Sequence, residues 1–485
     1  MTMVLPPPCD ELTARGMSGA VANPGSGTMV ATILASSLAV TVASIITVAL
    51  PSMQRDLGAD SAGLQWIINA YLLPMSALVL LGGALGDRLG RKRFFILGLV
   101  IFALATLGCA CAPNLAVMLA ARFVQGVGAA LVIPNSLALL ADAYSGKRRG
   151  RAVGTWAAAS TIAGAAAPLL GGVVVDHADW RWSFAIVIPA AAAALLMAIQ
   201  SIPTDVSPPQ RVPLDLAGGA LAVVSLGNLV VSLTYLPHSG TSNPVVIGTA
   251  GVGLMSLVAF LCVERRKKAD AIMPLGIFAS GSFSGISILT LLLYCALGGF
   301  MVLLPLFFMN GLGYSATRAG FALLPLPLVM GTLSRPLGGL ATKWGVRRTL
   351  SLGPVAVAIG FALIATLREE RVSYLLNIFP GLVTISLGMA LTVAPLTTAV
   401  MNAVENRFVG VASGLNNAIS RTAGLIATSL LGLVLPSANT DRSELLNGLV
   451  HASWVGCALA MAAAIISFAK IREEEVNSDL NVNSR

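Results

Sequence analysis

Two arginines lie inside long apolar stretches of this 485-residue chain. Arg122 sits in the run Leu119-Ala120-Ala121-Arg122-Phe123-Val124-Gln125-Gly126, and Arg421 follows Asn416, Asn417 and Ser420. A guanidinium within hydrocarbon costs about 3 kcal/mol on insertion scales, so each should turn inward and find acceptors. Gln125 is three residues from Arg122, and Asn417 is four residues from Arg421, so each pair shares a helical face. Gly126 permits a neighbouring helix to come close. Such a cation can face a polar interior or simply be held by carbonyls; for Arg421, lining a cavity and tying its helix to a neighbour are equally open. A different cluster surrounds Asp87: Gly83, Gly86 and Gly90 allow a tight turn, and Arg88 or Arg91 can pair with an acid such as Asp142. Catalytic patterns are missing. There is no His-Glu zinc motif, no G-x-S-x-G turn and no P-loop.

The surroundings of these residues explain why charge is so costly here. Hydrophobic residues make up 56% of the chain and charged residues 11%, against about 25% charged in a soluble domain. Mean hydropathy is +0.85. A soluble enzyme, a disulfide scaffold and a disordered chain are excluded, leaving a polytopic membrane protein whose first partner is the lipid bilayer. A spanning helix needs about 20 apolar residues. Fourteen stretches qualify: 29–50, 64–85, 94–112, 115–138, 152–175, 182–201, 216–236, 244–263, 283–306, 317–337, 349–367, 375–397, 410–435 and 449–469. The 49 glycines suit close helix packing. Short alternating segments of a barrel are not seen.

An even number of spans puts both termini on one side. Arg55, Arg181, Arg318, Arg368, Arg371 and Arg442 fall on the other side, and Arg122 and Arg421 fall within spans; the remaining 22 of 30 Lys and Arg share the side of the termini. That bias makes both termini cytoplasmic in a multi-pass cell membrane protein. The net charge of +9 is therefore a topology signal, and the basic residues are too dispersed for nucleic-acid binding. No cofactor motif is present. Of six cysteines, five lie in or beside spans. The Cys109-x-Cys111 pair lacks a partner histidine for a metal.

Loop composition divides the spans six, two, six. Residues 1–28 read as a cytoplasmic tail, with Asp10, Glu11 and Arg15. Residues 29–201 form a first bundle. Residues 202–274 hold a linker with Pro208, Pro209 and Pro213, then two extra spans ending in the charged run Glu264 to Asp270. Residues 275–469 form a second bundle and 470–485 a tail. The loop Gly83-Ala84-Leu85-Gly86-Asp87-Arg88-Leu89-Gly90-Arg91-Lys92-Arg93 recurs as Gly338-Gly339-Leu340-Ala341-Thr342-Lys343-Trp344-Gly345-Val346-Arg347-Arg348. Parallel repeats of this kind are a transporter architecture, with the substrate path between the halves.

The Asp87 loop resembles the signature loop of the major facilitator superfamily, and fourteen spans resemble its drug/proton antiporter branch. The Arg122 stretch, Ala49-Leu50-Pro51, Leu64-Gln65-Trp66 to Tyr71, Trp180-Arg181-Trp182 and Ala412-Ser413-Gly414 to Arg421 agree, in the expected order. The resemblance implies an all-α fold of two six-helix bundles plus two extra central helices, working by alternating access. It implies that Asp87, with Gly83, Arg88, Gly90, Arg91 and Asp142, forms a latch joining the halves. It gives Arg122 a part in coupling or in the cavity. The fifth span is similar to the antiporter motif through Gly154, Pro168, Gly171 and Gly172, with Ala163 and Ala167 replacing two glycines.

One departure bears on mechanism. Val42 stands where the branch carries an acid, and Thr47 where it carries Asn. None of the 21 Asp and Glu falls well inside a span, and His177, His238 and His451 lie in or near outer loops. A proton antiporter needs a group that changes charge; Asp142 is the first candidate. A cavity with Arg122 and Arg421 and no acid should prefer neutral or anionic amphipathic small molecules. Tyr71, Trp66, Phe300, Tyr294 and Met301 are candidate apolar contacts, and Asn228 is the main polar side chain of the extra hairpin. Secondary active export of hydrophobic compounds, with protons as the candidate coupling ion, leads. The alternatives are an importer or facilitator of a metabolite or organic anion, and more remotely a membrane-embedded enzyme or sensor.

Overall fold

The computed structural model describes residues 26–144, 146–203, 215–267, 271–369, 372–405, 408–434 and 442–473. The expected tail with Asp10, Glu11 and Arg15, the linker prolines 208, 209 and 213, Arg371 and the far C-terminal tail lie outside the described residues.

Fourteen helices account for the fourteen apolar stretches. The first six are α1 (Ser26–Leu57), α2 (Ser61–Leu89), α3 (Arg91–Ala110), α4 (Leu115–Ala143), α5 (Gly146–His177) and α6, interrupted at Ile186 (Trp182–Ala185 and Val187–Ser201). An inserted hairpin follows, α7 (Leu216–Ser239) and α8 (Pro244–Lys267). The last six are α9 (Gly281–Leu306), α10, broken at Leu324 (Ala316–Leu323 and Pro325–Gly338), α11 (Val346–Ala365), α12 (Phe379–Asn402), α13 (Val409–Ser429) and α14 (Arg442–Lys470). Among the described residues, thirteen spans are long and apolar enough to cross a membrane. The exception is α13, whose Asn416, Asn417, Ser420 and Arg421 dilute its apolar character. It is buried among other helices at Ala412, Leu415, Ala423 and Leu425, so the protein rather than lipid receives its polar stripe.

Helix ends follow from short polar side chains and from glycine. Asp60, Asn114, Ser280 and Ser315 each accept a backbone N–H from the first turn of the helix that follows, satisfying donors that a helix leaves open. Gly90 (φ 115°) ends α2 and begins α3, and Gly345 (φ 87°) does the same before α11. Gly90 N–H reaches Gly86 O at 2.9 Å, and Gly345 N–H reaches Ala341 O at 3.0 Å. The repeated sequence loop is thus a repeated structure, requiring a positive φ at the same place.

Packing gives two bundles. In the first, α1 contacts α5 and α6, and α4 contacts α2 and α3; in the second, α11 contacts α12 and α14, and α9 contacts α13 and α14. The bundles meet along α5–α10, α1–α9 and α2–α13. The hairpin lies outside: α7 packs against both α2 and α13, while α8 packs on α7 and exposes its apolar side chains, Met255 by 67%. Asn228, expected as the main buried polar group there, bonds its own helix at Val224 O. The buried polar groups are Ser225, Ser232 and Thr234 along the hairpin, with Asp215 and Glu264 at its base. His451, expected near a loop, lies within α14 and is exposed.

We call the side holding the start of α1 and the end of α14 the termini face, and the opposite side the far face. Thr28 bonds Ser201 O at 3.0 Å and Arg472 N–H bonds Ser282 at 3.0 Å, which fixes the termini face in each bundle.

Candidate functional site: the seam between the bundles

Arg122 is fully buried inside the first bundle. Its Nε donates to Ile67 O at 3.1 Å, and one terminal nitrogen donates to Gln125 Oε1 at 2.7 Å. Gln125 Nε2 donates to Thr106 at 2.7 Å, and Thr106 donates to Phe102 O. The guanidinium also stacks 4.4 Å from the Tyr71 ring centroid, and Tyr71 donates to Ala39 O at 2.9 Å. Helices α1, α2, α3 and α4 therefore meet on one cation. Gly126 makes this geometry attainable: a β-carbon there would stand 2.3 Å from Tyr71 O. The expected sharing of a face with Gln125 is correct. Cavity lining is not: Arg122 is bundle core in this state. Tyr71 and Phe300 are likewise fully buried, Phe300 edge-on against Phe361, so neither is a surface for cargo here. Trp66, Tyr294 and Met301 remain partly exposed.

Arg421 lies at the seam. Its Nη1 donates to Met75 Sδ of the other bundle at 3.2 Å, and its Nε is buried without a partner. Among the described residues, neither Arg122 nor Arg421 has a carboxylate partner. Gly414, Arg421 and Thr428, each seven apart, face α2 along the seam: Gly414 against Leu80, Arg421 against Met75, Thr428 against Asn69. Asn69 Nδ2 also donates to Ser429 Oγ at 3.0 Å. With its amide turned to suit both neighbours, Gln65 donates to Ser429 O and accepts from Gly432 N, each at 3.0 Å. Asn417 is exposed, and Asn416 accepts from Thr290 of α9 at 2.8 Å. The shared stripe of Asn417 and Arg421 thus faces the other bundle, while Asn416 turns into its own.

The opposite flank of the seam closes only near the far face. A β-carbon at Gly172 would lie 2.3 Å from Ala316 O, and one at Gly320 would lie 2.6 Å from Pro168 O. Gly171 has the same role toward α1, at 2.3 Å from Ile45. Asp176 then reaches across the bundles: it accepts from Ala316 N at 2.9 Å and Thr317 N at 2.7 Å, at the start of α10. A carboxylate on a helix N-terminus is favoured by the helix dipole. In the sequence the signal for Asp176 is an acid five residues beyond Gly171, just past the fifth apolar stretch. Toward the termini face the contact of α5 with the second half of α10 is sparser than with the first. Gly154 and Gly331 have nothing within 4 Å of an added β-carbon. Residues Arg151, Gly154, Thr155, Ala157 and Ala158 are exposed. Above the contact, a vestibule of about 730 Å³ opens to the far face, lined by Pro51, Arg55, Asp176, Tyr314 and Ala316 among others.

The Asp87 cluster stays within one bundle. Arg91 holds Asp87 at 2.7 Å and Asp142 at 2.5 Å, joining the ends of α2 and α4 to the start of α3. Arg88 is exposed. The close-approach glycines are Gly82 and Gly86, whose β-carbons would strike Ala130 O and Asn135 Oδ1; Gly83 has ordinary contact with Pro134 at 3.5 Å. On the far face Arg181 plays a matching part, bonding Asp56 at 2.7 Å, Asp179 and Ala112 O. The first bundle is thus stapled at both ends. The ion pairs of Asp87, Arg91 and Asp142 among the described residues join helices of one half.

The comparisons with known proteins fit this geometry. The Major Facilitator Superfamily model matches residues 32–428. The Methylenomycin A resistance protein of Bacillus subtilis (strain 168) is 31% identical over 424 residues, covering 86% of this chain and 90% of that protein. The Puromycin resistance protein pur8 of Streptomyces alboniger is 32% identical over 447 residues, covering 90% and 88%. A crystal structure of a D-xylose-proton symporter superposes with a TM-score of 0.66 at 16% identity, covering 92% of this chain and 97% of that one, which establishes a shared fold. With two bundles, a repeated glycine loop and a seam that closes at one end, this multi-pass membrane protein belongs to the major facilitator superfamily and is a transporter rather than an enzyme.

Proposed function

We propose that the protein exports hydrophobic or amphipathic small molecules across the cell membrane by alternating access, coupled to protons. The observation that carries this reading is the one-ended seam. Bundles joined at Asp176–Ala316 and Gly172–Ala316 near the far face, with open space beside Gly154 and Gly331 toward the termini face, suit the state that takes up cargo from the termini side. The charge bias of the loops makes that side cytoplasmic. The resistance proteins named above are consistent with outward movement of antibiotics. Arg421, with a buried Nε lacking a partner beside Tyr294 and Met75, suits an acceptor group on a neutral or anionic cargo. In the opposite state, the Asp87 loop is the natural contact for the second bundle.

The test is reconstitution into liposomes containing a pH dye, challenged with hydrophobic drugs and with organic anions. Substrate-driven proton movement supports proton-coupled export. Substrate flux without proton movement would sink the coupling and favour a facilitator or metabolite carrier. Robust transport of a permanent dication would overturn the assigned cargo class.

A further inference from the structure

At the base of the inserted hairpin, two acids are buried against each other. Asp215 caps α7: its Oδ1 accepts from Gly218 N at 2.6 Å and from Lys267 Nζ at 2.6 Å. Glu264, in the last turn of α8, accepts from Met273 N at 2.7 Å through Oε2. Both residues are almost fully buried, and Asp215 Oδ2 and Glu264 Oε1 have no other donor among the described residues. These two oxygens face one another. A β-carbon on Gly218 would lie 2.6 Å from Glu264 Oε1 and 2.8 Å from Asp215 Oδ2. Among the described residues, the groups facing the pair from the elements around it are Lys267 and the Met273 N–H; α2, which packs on this end of α7, presents the apolar Leu81 at Gly219. In the sequence Glu264 opens the charged run that ends the two extra spans; the fold buries it.

Two bare carboxylate oxygens in contact repel, and each lacks a donor. A single proton removes both faults, since one carboxyl then donates to the other. Among the described residues it also balances the charge: two carboxylates and the Lys267 ammonium leave one negative charge, which the proton cancels. Asp215 already accepts from Gly218 N and Lys267 Nζ, whereas Glu264 accepts from Met273 N alone, so the proton is placed on Glu264. We propose that Asp215 and Glu264 form a proton-binding site, shared between the two carboxyls and separate from the seam. Its placement gives it a consequence. Asp215 stands where the chain enters the hairpin from the first bundle, and Glu264 grips the segment at Met273 that leads into the second. The proton therefore clasps entry to exit, and its loss loosens the only covalent connection between the bundles.

The site is tested by infrared titration of the full-length protein in liposomes, without any substrate. Around neutral pH ordinary carboxyls, with values near about 4, are ionised. The wild type should still show the carbonyl stretch of a protonated carboxylic acid, titrating away as pH rises. Glu264→Gln should abolish that band. Asp215→Asn should remove the repulsion and move its midpoint down by about one pH unit or more. Absence of the band from the wild type overturns the proposal without any variant. So does a band that survives Glu264→Gln, and so does a midpoint unmoved by Asp215→Asn, which would mean that Glu264 titrates alone.

Discussion

The two six-helix bundles share a frame and differ in what fills it. Gly98 lies eight residues after Gly90, as Gly353 lies eight after Gly345, and each glycine presses against the next helix at Gly128 or Gly388. In the first bundle that frame encloses Arg122 and Gln125. At the same offsets from Gly388 the second bundle has Leu382 and Ile385, both fully buried. Asp87, Arg91 and Asp142 correspond in the same way to Thr342, Val346 and Asn402. Backbone approach, set by glycine, is therefore what the repeat preserves. The Arg122–Gln125 network and the Asp87–Arg91–Asp142 cluster have no counterpart at the matching positions of the second copy, whose polar side chains lie instead along α13 at the seam.

The sharpest way to break this contrast is to give the first bundle the second's core. Arg122→Leu alone strands Gln125 and the Ile67 carbonyl, and should cost about 3 kcal/mol in thermal or denaturant unfolding. Arg122→Leu with Gln125→Ile removes both partners and should recover most of that stability. If the pair serves only packing, transport recovers with it; if Arg122 acts in coupling, stability returns and substrate-driven proton movement does not.

The next effect concerns the two ends of α5. Gly172→Val should cost the far-face closure about 2 kcal/mol, because the added side chain meets the Ala316 carbonyl. The readout is labelling of a cysteine placed at the buried Ala319, with Cys111 replaced by Ser, which should rise roughly thirtyfold. The same change at Gly154, where space is open, should leave labelling unaltered. Asp176→Asn keeps the shape of the α10 cap and weakens its charge, so labelling should rise about fivefold, near 1 kcal/mol. Smallest is Asp142→Asn. Its carboxylate is 58% exposed, so the loss of its bond to Arg91 should change stability by under about 1 kcal/mol. A much larger fall in proton movement than in stability would mark Asp142 as the proton carrier.

Much of the fold was legible because hydrocarbon-length apolar runs and repeated glycines are local signals. Arg122 was legible too, since a cation in an apolar run demands partners and Gln125 was within one turn. The roles of Asp176, Asn69 and Glu264 were not. Asp176 acts on a helix 140 residues away. Asn69 meets Thr428 and Ser429 across the seam. Glu264 looks solvated until Asp215 and the Met273 segment close over it. Each depends on which helices become neighbours, and periodicity within one helix does not specify that. The misjudged aromatics show the same limit: Tyr71 and Phe300 are inward-facing in any case, but only packing tells whether inward means a cavity or a core.

The position of α7 has one more consequence. By lying across both α2 and α13, it roofs one flank of the seam and shuts that side off from the acyl chains. The other flank, between α5 and α10, carries no such cover. The seam is therefore handed: among the described residues, the inserted hairpin obstructs sideways approach at α2–α13 and leaves it unobstructed at α5–α10.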